Sequence, residues 1–429
     1  MNIQLPRGTY DLFGNDMRLH NEVKNSVLEI FDNYGYSQIK TPIFEHTNLF
    51  IRSVGESSDI VNKEMYTFND KSDRSLTLRP ELTAPTVRSY LENKLYGEPK
   101  PFHKLSYYGE AFRYERAQAG RYRQFHQLGT ECFGIAGIEV EAETIAMAMS
   151  IFTKLGIADK VTLKINTIGT SSDRANYVEL LKTHFAAHIE ELCEDCKMRF
   201  EKNPLRILDC KIDKDHESIA NAPKLFDSLS EASKTRFTNL LALLTDLGIS
   251  YQIDDSLVRG LDYYNDTVFE VEYTNGKTNF SILGGGRYDN MVGDFNPKQA
   301  TPAFGLGVGI ERLIIALKDA KPEIIEQMNE VREIYYMPRT PEAIPTCLKS
   351  INTLRDSGLK CEMDYNISSF KSAFKQAEKL GCVYGVIIGE RELEGGYATI
   401  KQLFTQESFE VKLSDFEQDL IEEGENHEH

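Results

Sequence analysis

The sequence predicts an α+β domain built on an antiparallel sheet with flanking helices, broken by a helical insertion and followed by a smaller α/β domain. Three observations carry this reading. Residues 105–114 and 124–134 are extended runs joined by a polar, glycine-containing loop at 115–123, the pattern of two antiparallel strands in a hairpin. Between 171 and 247 the texture turns polar, lysine-rich and helical, with breaks at Pro204 and Pro223, before strand signals return at 263–273 and 278–283. From Glu333 onward, strands at 334–337, 360–363, 383–388 and 398–403 alternate with helices at 341–356 and 368–380, which predicts a separate α/β unit. The expected domains are 1–325 with its insertion at 171–250, then 330–420, then an acidic tail at 421–429.

The N-terminal elements follow from spacing. Leu19, Val23, Val27, Leu28, Ile30 and Phe31 share one face of a helix over 16–34, which Gly35 stops. A strand is expected at 36–43, ending at a proline, and a short one at 76–78. Pro85 suits the first turn of a helix running to about Leu95. A strong helix spans 139–155.

Composition bounds the function. With 41% apolar and 27% charged residues, the chain has material for a sizeable core. The first ten residues carry no apolar run of signal-peptide type, and no stretch approaches the length of a membrane span, so secretion and membrane insertion are not expected. Seven cysteines, an odd number, fit reduced thiols in a cytoplasm better than a disulfide framework. The net charge of −17 argues against nucleic acid only until its distribution is read. Residues 407–429 hold −8 of it, whereas 100–126 carry a local +4 that can meet phosphate.

Three clusters carry chemistry. In the hairpin, alternation puts Arg113 and Glu115 on one face, and likewise Phe125, Gln127 and Glu131. An arginine can meet a phosphate, a ring can stack on a base, and polar groups can orient a second ligand. A solvated basic hairpin would look similar. In the second cluster, Gly305, Gly307 and Gly309 alternate, leave one strand face bare for a flat ligand, and lead into a helix carrying Arg312. A packed strand–helix turn is the plainer alternative. The third cluster is Arg259-Gly260-Leu261-Asp262-Tyr263-Tyr264 with Gly285-Gly286-Arg287-Tyr288-Asp289; its tyrosines read equally well as sheet packing.

Phe112–Glu115 and the eight residues Gly120–Gln127 resemble motif 2 of the class II aminoacyl-tRNA synthetases in its histidine-specific form. Residues 304–312 resemble motif 3, and the third cluster resembles the two peptides peculiar to histidyl-tRNA synthetases of bacterial type. The resemblance implies a class II fold with a C-terminal anticodon-binding domain, and a two-step ligase using histidine, Mg-ATP and tRNA-His. It implies Arg113 and Arg259 as catalytic cations at the α-phosphate. Histidine would be bound by Glu81, Leu82, Thr83, Arg113, Gln127, Glu131, Arg259, Tyr263, Tyr264 and Tyr288, with Glu131 and Tyr264 reading the imidazole. Glu81 and Thr83 would receive the α-ammonium. ATP would meet Arg113, Glu115, Phe125, Arg259 and Arg312, and the loop residues Arg116 and Gln118 would face tRNA. Residues 36–45, with Pro42, resemble motif 1, which implies a two-fold homodimer. Two positions depart from the family pattern: Gly109-Glu110-Ala111 stands where Gly-Pro-Met is usual, and Leu82 where glycine is common.

Cys193, Cys196 and Cys210 raise a zinc site completed by His184, His188 or His216. The spacing fits no common zinc motif and the stretch reads as helix, so no bound metal is expected. The rival reading is a non-catalytic paralogue that regulates ATP phosphoribosyltransferase; that type lacks the C-terminal domain and erodes the site. A tRNA-sensing module of regulatory kinases would need no intact ATP site.

Overall fold

The computed structural model describes residues 3–425 apart from 56, 57, 59, 117–119, 209, 211, 258–260, 262 and 329–332. Two compact units are present, Met1–Ile325 and Glu326–His429. In chain order the strands of the first are β1 (Ser37–Gln38), β2 (Phe44–His46), β3 (Tyr66–Asn69), β4 (Ser75–Leu78), β5 (His103–Phe112), β6 (Gln124–Phe133), β7 (Val161–Thr167), β8 (Gln252–Ile253), β9 (Asn265–Thr274), β10 (Asn279–Arg287) and β11 (Ala303–Gly309).

Eight of them form one sheet in the order β1-β5-β6-β11-β10-β9-β7-β8. The six central strands are antiparallel, and a short parallel strand closes each edge. The amphipathic helix Gly14–Asn33 buries Leu19, Val23, Val27, Ile30 and Phe31, and Gly35 ends it with φ +80°, a conformation costly for any residue with a Cβ. This helix packs with Glu139–Lys154 and Ile310–Ala320, and all three touch the central strands. Thr83–Glu92 begins beside the other face, where Leu82 packs on Tyr107 and Ala111 of β5.

The strand expected at 36–43 shrinks to β1. Pro42 has no N–H to give a ladder. The Thr41 and Pro42 carbonyls instead accept from the buried Arg79 guanidinium, at 2.9 and 3.2 Å, while Arg79 Nε donates to Glu110 O at 2.7 Å. Arg79 thus ties this segment to the hairpin.

The helical stretch leaves the sheet after β7 and returns at β8, which pairs with β7 itself. Its entry is set by Thr170, whose side chain caps the helix Ser171–Phe185 in a reciprocal box with Asp173. Asp173 then accepts from Ser230 N and Ser233 Oγ, so one carboxylate holds both ends of the insertion together.

In the second unit, β12 (Ile334–Pro338), β13 (Cys361–Met363), β14 (Tyr384–Ile388), β15 (Ala398–Gln402) and β16 (Ser408–Val411) run in the order β13-β12-β14-β15-β16. Strands β13, β12 and β14 are parallel, and the last two are antiparallel. The acidic C-terminal stretch is in part a helix, Leu413–Glu425, because Phe416 and Leu420 supply it with an apolar face buried in this unit's core. Among the described residues no helix is long and apolar enough to cross a membrane.

Candidate functional site

Glu81, Thr83, Gln127, Glu131 and the tyrosines gather around the sheet formed by β5, β6 and β11. Glu131, on β6, is 1% exposed and is gripped by two phenols: Tyr107 donates to Oε1 at 3.0 Å and Tyr288 donates to Oε2. Burial pushes the Glu131 carboxyl up to about 8, against the pull of Tyr288, Thr83 and Tyr107, and the charge of nearby Glu81 adds to the rise. Glu81 is also 1% exposed, and its oxygens accept from the amides of Thr83 at 2.6 Å and Ala84 at 2.9 Å. Each oxygen keeps a second lone pair for a ligand cation. Thr83 Oγ1 lies 3.5 Å from the Tyr107 hydroxyl, and the Tyr263 hydroxyl 3.5 Å from that of Tyr264. Tyr263, Tyr264 and Tyr288 are buried and in ring contact through Tyr263.

The alternating glycines do something other than expected. Gly305 pairs with Glu131, and Gly307 with Gly129, across β6 and β11. A Cβ on Gly305 would strike the Glu131 carboxylate, and one on Gly307 the Gln127 amide. Those two glycines make room for polar side chains of the neighbouring strand, and the ligand would meet those side chains. Gln127 Oε1 is buried with no hydrogen-bond partner among the described residues, an orphaned acceptor of the kind a ligand satisfies. Gly307→Ala is therefore expected to leave the fold standing, since the amide sits at the end of a flexible side chain, while weakening histidine binding about tenfold, of order 1–1.5 kcal/mol. Calorimetric titration with histidine checks it; unchanged affinity would remove Gln127 from the pocket.

At the hairpin's mouth, Arg113 Nε donates to Pro80 O at 2.8 Å and the guanidinium lies 5.4 Å from the centroid of the Phe125 ring. Glu115 sits between Arg113 at 3.9 Å and Arg121 at 3.3 Å. Arg312 is held by two carbonyls, Gly120 O at 3.2 Å and Ser281 O at 2.6 Å, so it braces the end of the hairpin loop against β10. Leu82 is buried among Tyr107 and Ala111, an apolar support more than a polar contact. Arg116 is exposed in the loop. Arg259 and Gln118 lie outside the described residues.

Two residues escaped the sequence reading. Tyr107 reaches Glu131 across Gly129, where any Cβ would hit its ring. The only signal was register, which places Tyr107 opposite that glycine. Glu311 accepts from Tyr10 at 2.6 Å and from the His126 amide at 2.8 Å, pinning the helix Ile310–Ala320 to β6. Arg287, by contrast, is not available for chemistry. It is fully buried, bonded to Glu141 at 2.6 Å and to the Ile135 and Gly137 carbonyls. Removing it would leave the buried Glu141 carboxylate with Arg236 as its remaining cation, a loss toward the lower end of about 3–5 kcal/mol in stability.

A cavity of about 270 Å³ lined by Tyr10, His20, Tyr108 and His126 lies on the opposite face of the hairpin, away from this constellation. In the insertion, Cys193, Cys196 and Cys210 do come together, but the fourth group is Asp213 and none of the histidines that the sequence suggested.

Comparison with known proteins agrees in both units. A family model described as histidyl-tRNA synthetase matches residues 8–313, and one described as an anticodon binding domain matches 327–423. The histidine–tRNA ligase of Halothermothrix orenii is 44% identical over 423 residues, 99% of either chain. That of Listeria monocytogenes is 42% identical over 431 residues, 99% of this chain and 100% of its own. The crystal structure of apo histidyl-tRNA synthetase from S. aureus superposes with a TM-score of 0.82 at 37% identity, covering 98% of this chain and 100% of that one.

Proposed function

The chain belongs to the histidyl-tRNA synthetase family, and from that premise we propose that it activates histidine with Mg-ATP and esterifies it to the 3′ end of tRNA-His. In the first step a carboxylate oxygen of histidine attacks the α-phosphorus, and the bond to the β-phosphate breaks, releasing pyrophosphate. In the second a terminal ribose hydroxyl attacks the activated carbonyl and AMP leaves. The observation that carries this reading is Glu131, a buried carboxyl oriented by Tyr107 and Tyr288 on the strand that also carries the Gln127 oxygen, unpartnered among the described residues. Neutral imidazole offers one donor and one acceptor, and a pocket that pairs both leaves side chains without them unmatched.

Glu131 and Tyr264 read the imidazole, with Tyr263 and Tyr288 as walls and Gln127 as a further acceptor. Glu81 and Thr83 take the α-ammonium, supported by Leu82. Arg113 and Arg259 stabilise charge at the α-phosphate, which is where positioning and preset charge do most of the chemistry. Glu115 and Phe125 hold the adenine and Arg312 the γ-phosphate. The protein works in the cytoplasm, where its tRNA is, and as a two-fold homodimer through the segment around Pro42; sedimentation equilibrium reading one chain would contradict that assembly.

Arg116 and Gln118 act on tRNA. Arg116 is exposed beyond the strands that carry Arg113 and Phe125, and a forked guanidinium suits a phosphate or a guanine edge of the acceptor end. Arg116→Ala is expected to leave pyrophosphate exchange within about twofold while slowing aminoacylation of tRNA-His by about 1–2 kcal/mol. Aminoacylation with labelled histidine tests both function and residue. No charging by the wild type overturns the function; equal loss in both steps removes Arg116 from the tRNA face.

A further inference from the structure

We propose that the helical insertion contains a structural zinc site formed by the thiolates of Cys193, Cys196 and Cys210 and the carboxylate of Asp213. Their ligand atoms all lie within 4.8 Å of one another, and among the described residues no other cluster of potential metal ligands of this kind is present. Two of the internal distances match the edges of a tetrahedron around zinc. With Zn–S near 2.3 Å and Zn–O near 2.1 Å, neighbouring sulfurs should stand about 3.8 Å apart, and a sulfur and an oxygen about 3.6 Å. Cys193 Sγ and Cys210 Sγ are 3.7 Å apart, and Cys210 Sγ and Asp213 Oδ2 are 3.5 Å apart.

The objection that this stretch is helical turns out to favour the site. Cys193 is the N-cap of the helix Glu194–Lys202 and Cys196 is in its first turn, so three residues of spacing bring both sulfurs to one end. The other two ligands arrive on the segment after the turn Pro204–Ile207, again three residues apart. The surroundings are already arranged to steady such ligands: Cys193 N donates to Asp213 Oδ2 at 2.9 Å and Asp213 N to Cys210 Sγ at 3.4 Å.

The chemistry selects the cation. Three soft sulfurs in tetrahedral array suit zinc over magnesium or calcium. Four protein ligands close the coordination sphere, and Cys196 and Cys210 are buried, so the site is built for structure and has no open position for catalysis. The histidines are otherwise engaged, with His184 Nε2 2.7 Å from Ser218 O and His216 Nδ1 2.8 Å from Ser218 Oγ. The metal would clamp the helix Glu194–Lys202 to the segment that follows the turn Pro204–Ile207.

The test uses the full chain purified under reducing, zinc-free conditions and then given Zn²⁺ or Co²⁺ alone. Elemental analysis is expected to find about one zinc per chain. The cobalt form should show intense visible bands of a tetrahedral site and a thiolate-to-cobalt charge-transfer band. Cys193, the half-buried thiol of the cluster, should resist a thiol reagent until a chelator is added, whereas the four buried cysteines outside the cluster should not change with the chelator. Cys193→Ser and Asp213→Asn should cut metal retention at least tenfold, with pyrophosphate exchange kept within about twofold. A folded, reduced wild type that takes up no zinc overturns the site. So does a Cys193–Cys210 disulfide in place of the metal, or retention unchanged in both variants.

Discussion

Replacing Arg113 with alanine is expected to slow histidine-dependent pyrophosphate exchange by roughly 10²–10³, about 3–4 kcal/mol of activation free energy, while histidine affinity falls far less. The reason is geometric. Arg113 is anchored through Nε to Pro80 O and lies near the Phe125 ring, so its position is set before substrate arrives. A charge preset in this way matters most where negative charge develops on the phosphorus centre. Arg113→Lys should recover only part of the rate, because an ammonium cannot reproduce the planar fork. Arg259→Ala is expected to fall in the same range. Arg287 cannot stand in for either, being committed to Glu141. Exchange at wild-type speed in Arg113→Ala would make that residue a structural brace.

Glu131→Gln should change both binding and stability, and the pH dependence separates the two. Histidine affinity should drop by roughly 10–10², the worth of one hydrogen bond to a charged group, about 1.5–3 kcal/mol. On the proposed reading, Glu131 and the imidazole share one proton in the complex. Free Glu131, with its pKa near 8, already holds that proton at neutral pH. Above pH 8 the wild type must take up a proton to bind, whereas the glutamine variant need not. The ratio of wild-type to variant affinity should therefore be flat up to about pH 8 and then fall tenfold per unit; taking the ratio cancels the ligand's own titration. A flat ratio to pH 9.5 would contradict the shared proton.

Stability follows from the same shift. The folded carboxyl titrates near 8 and the unfolded one near 4.5, so the folded state holds more protons in between. Its stabilising contribution is complete below pH 4.5 and is lost as pH rises through 8. The ligand-free Glu131→Gln protein should match the wild type near pH 4.5 and exceed it at pH 9, by on the order of 3–5 kcal/mol at most.

What could be read in advance depended on how local the cause was. The N-terminal helix, the hairpin strands and the alternation of the second unit follow from side-chain periodicity, and each lies within a few residues of its expected span. The strand at 36–43 failed because Arg79, distant in sequence, takes the carbonyls that a ladder would use. In the pocket, residue types pointed to Glu131, Gln127 and the tyrosines, while their mutual contacts needed register. That Gly305 stands opposite Glu131, and Tyr107 opposite Gly129, is a property of three aligned strands and of no single one. The cysteine cluster was only partly legible for a related reason. Cys193 and Cys196 could be judged from their spacing, but the nearness of Cys210 and Asp213 depends on a chain reversal around Pro204.

The central claim is that this pocket selects histidine for activation by ATP. ATP–pyrophosphate exchange, run without tRNA and with each of the twenty amino acids in turn, tests it most directly. The account predicts exchange with histidine alone, because only an imidazole pairs with both Glu131 and its neighbours in the pocket. Exchange driven equally by another amino acid, or by none, would contradict it.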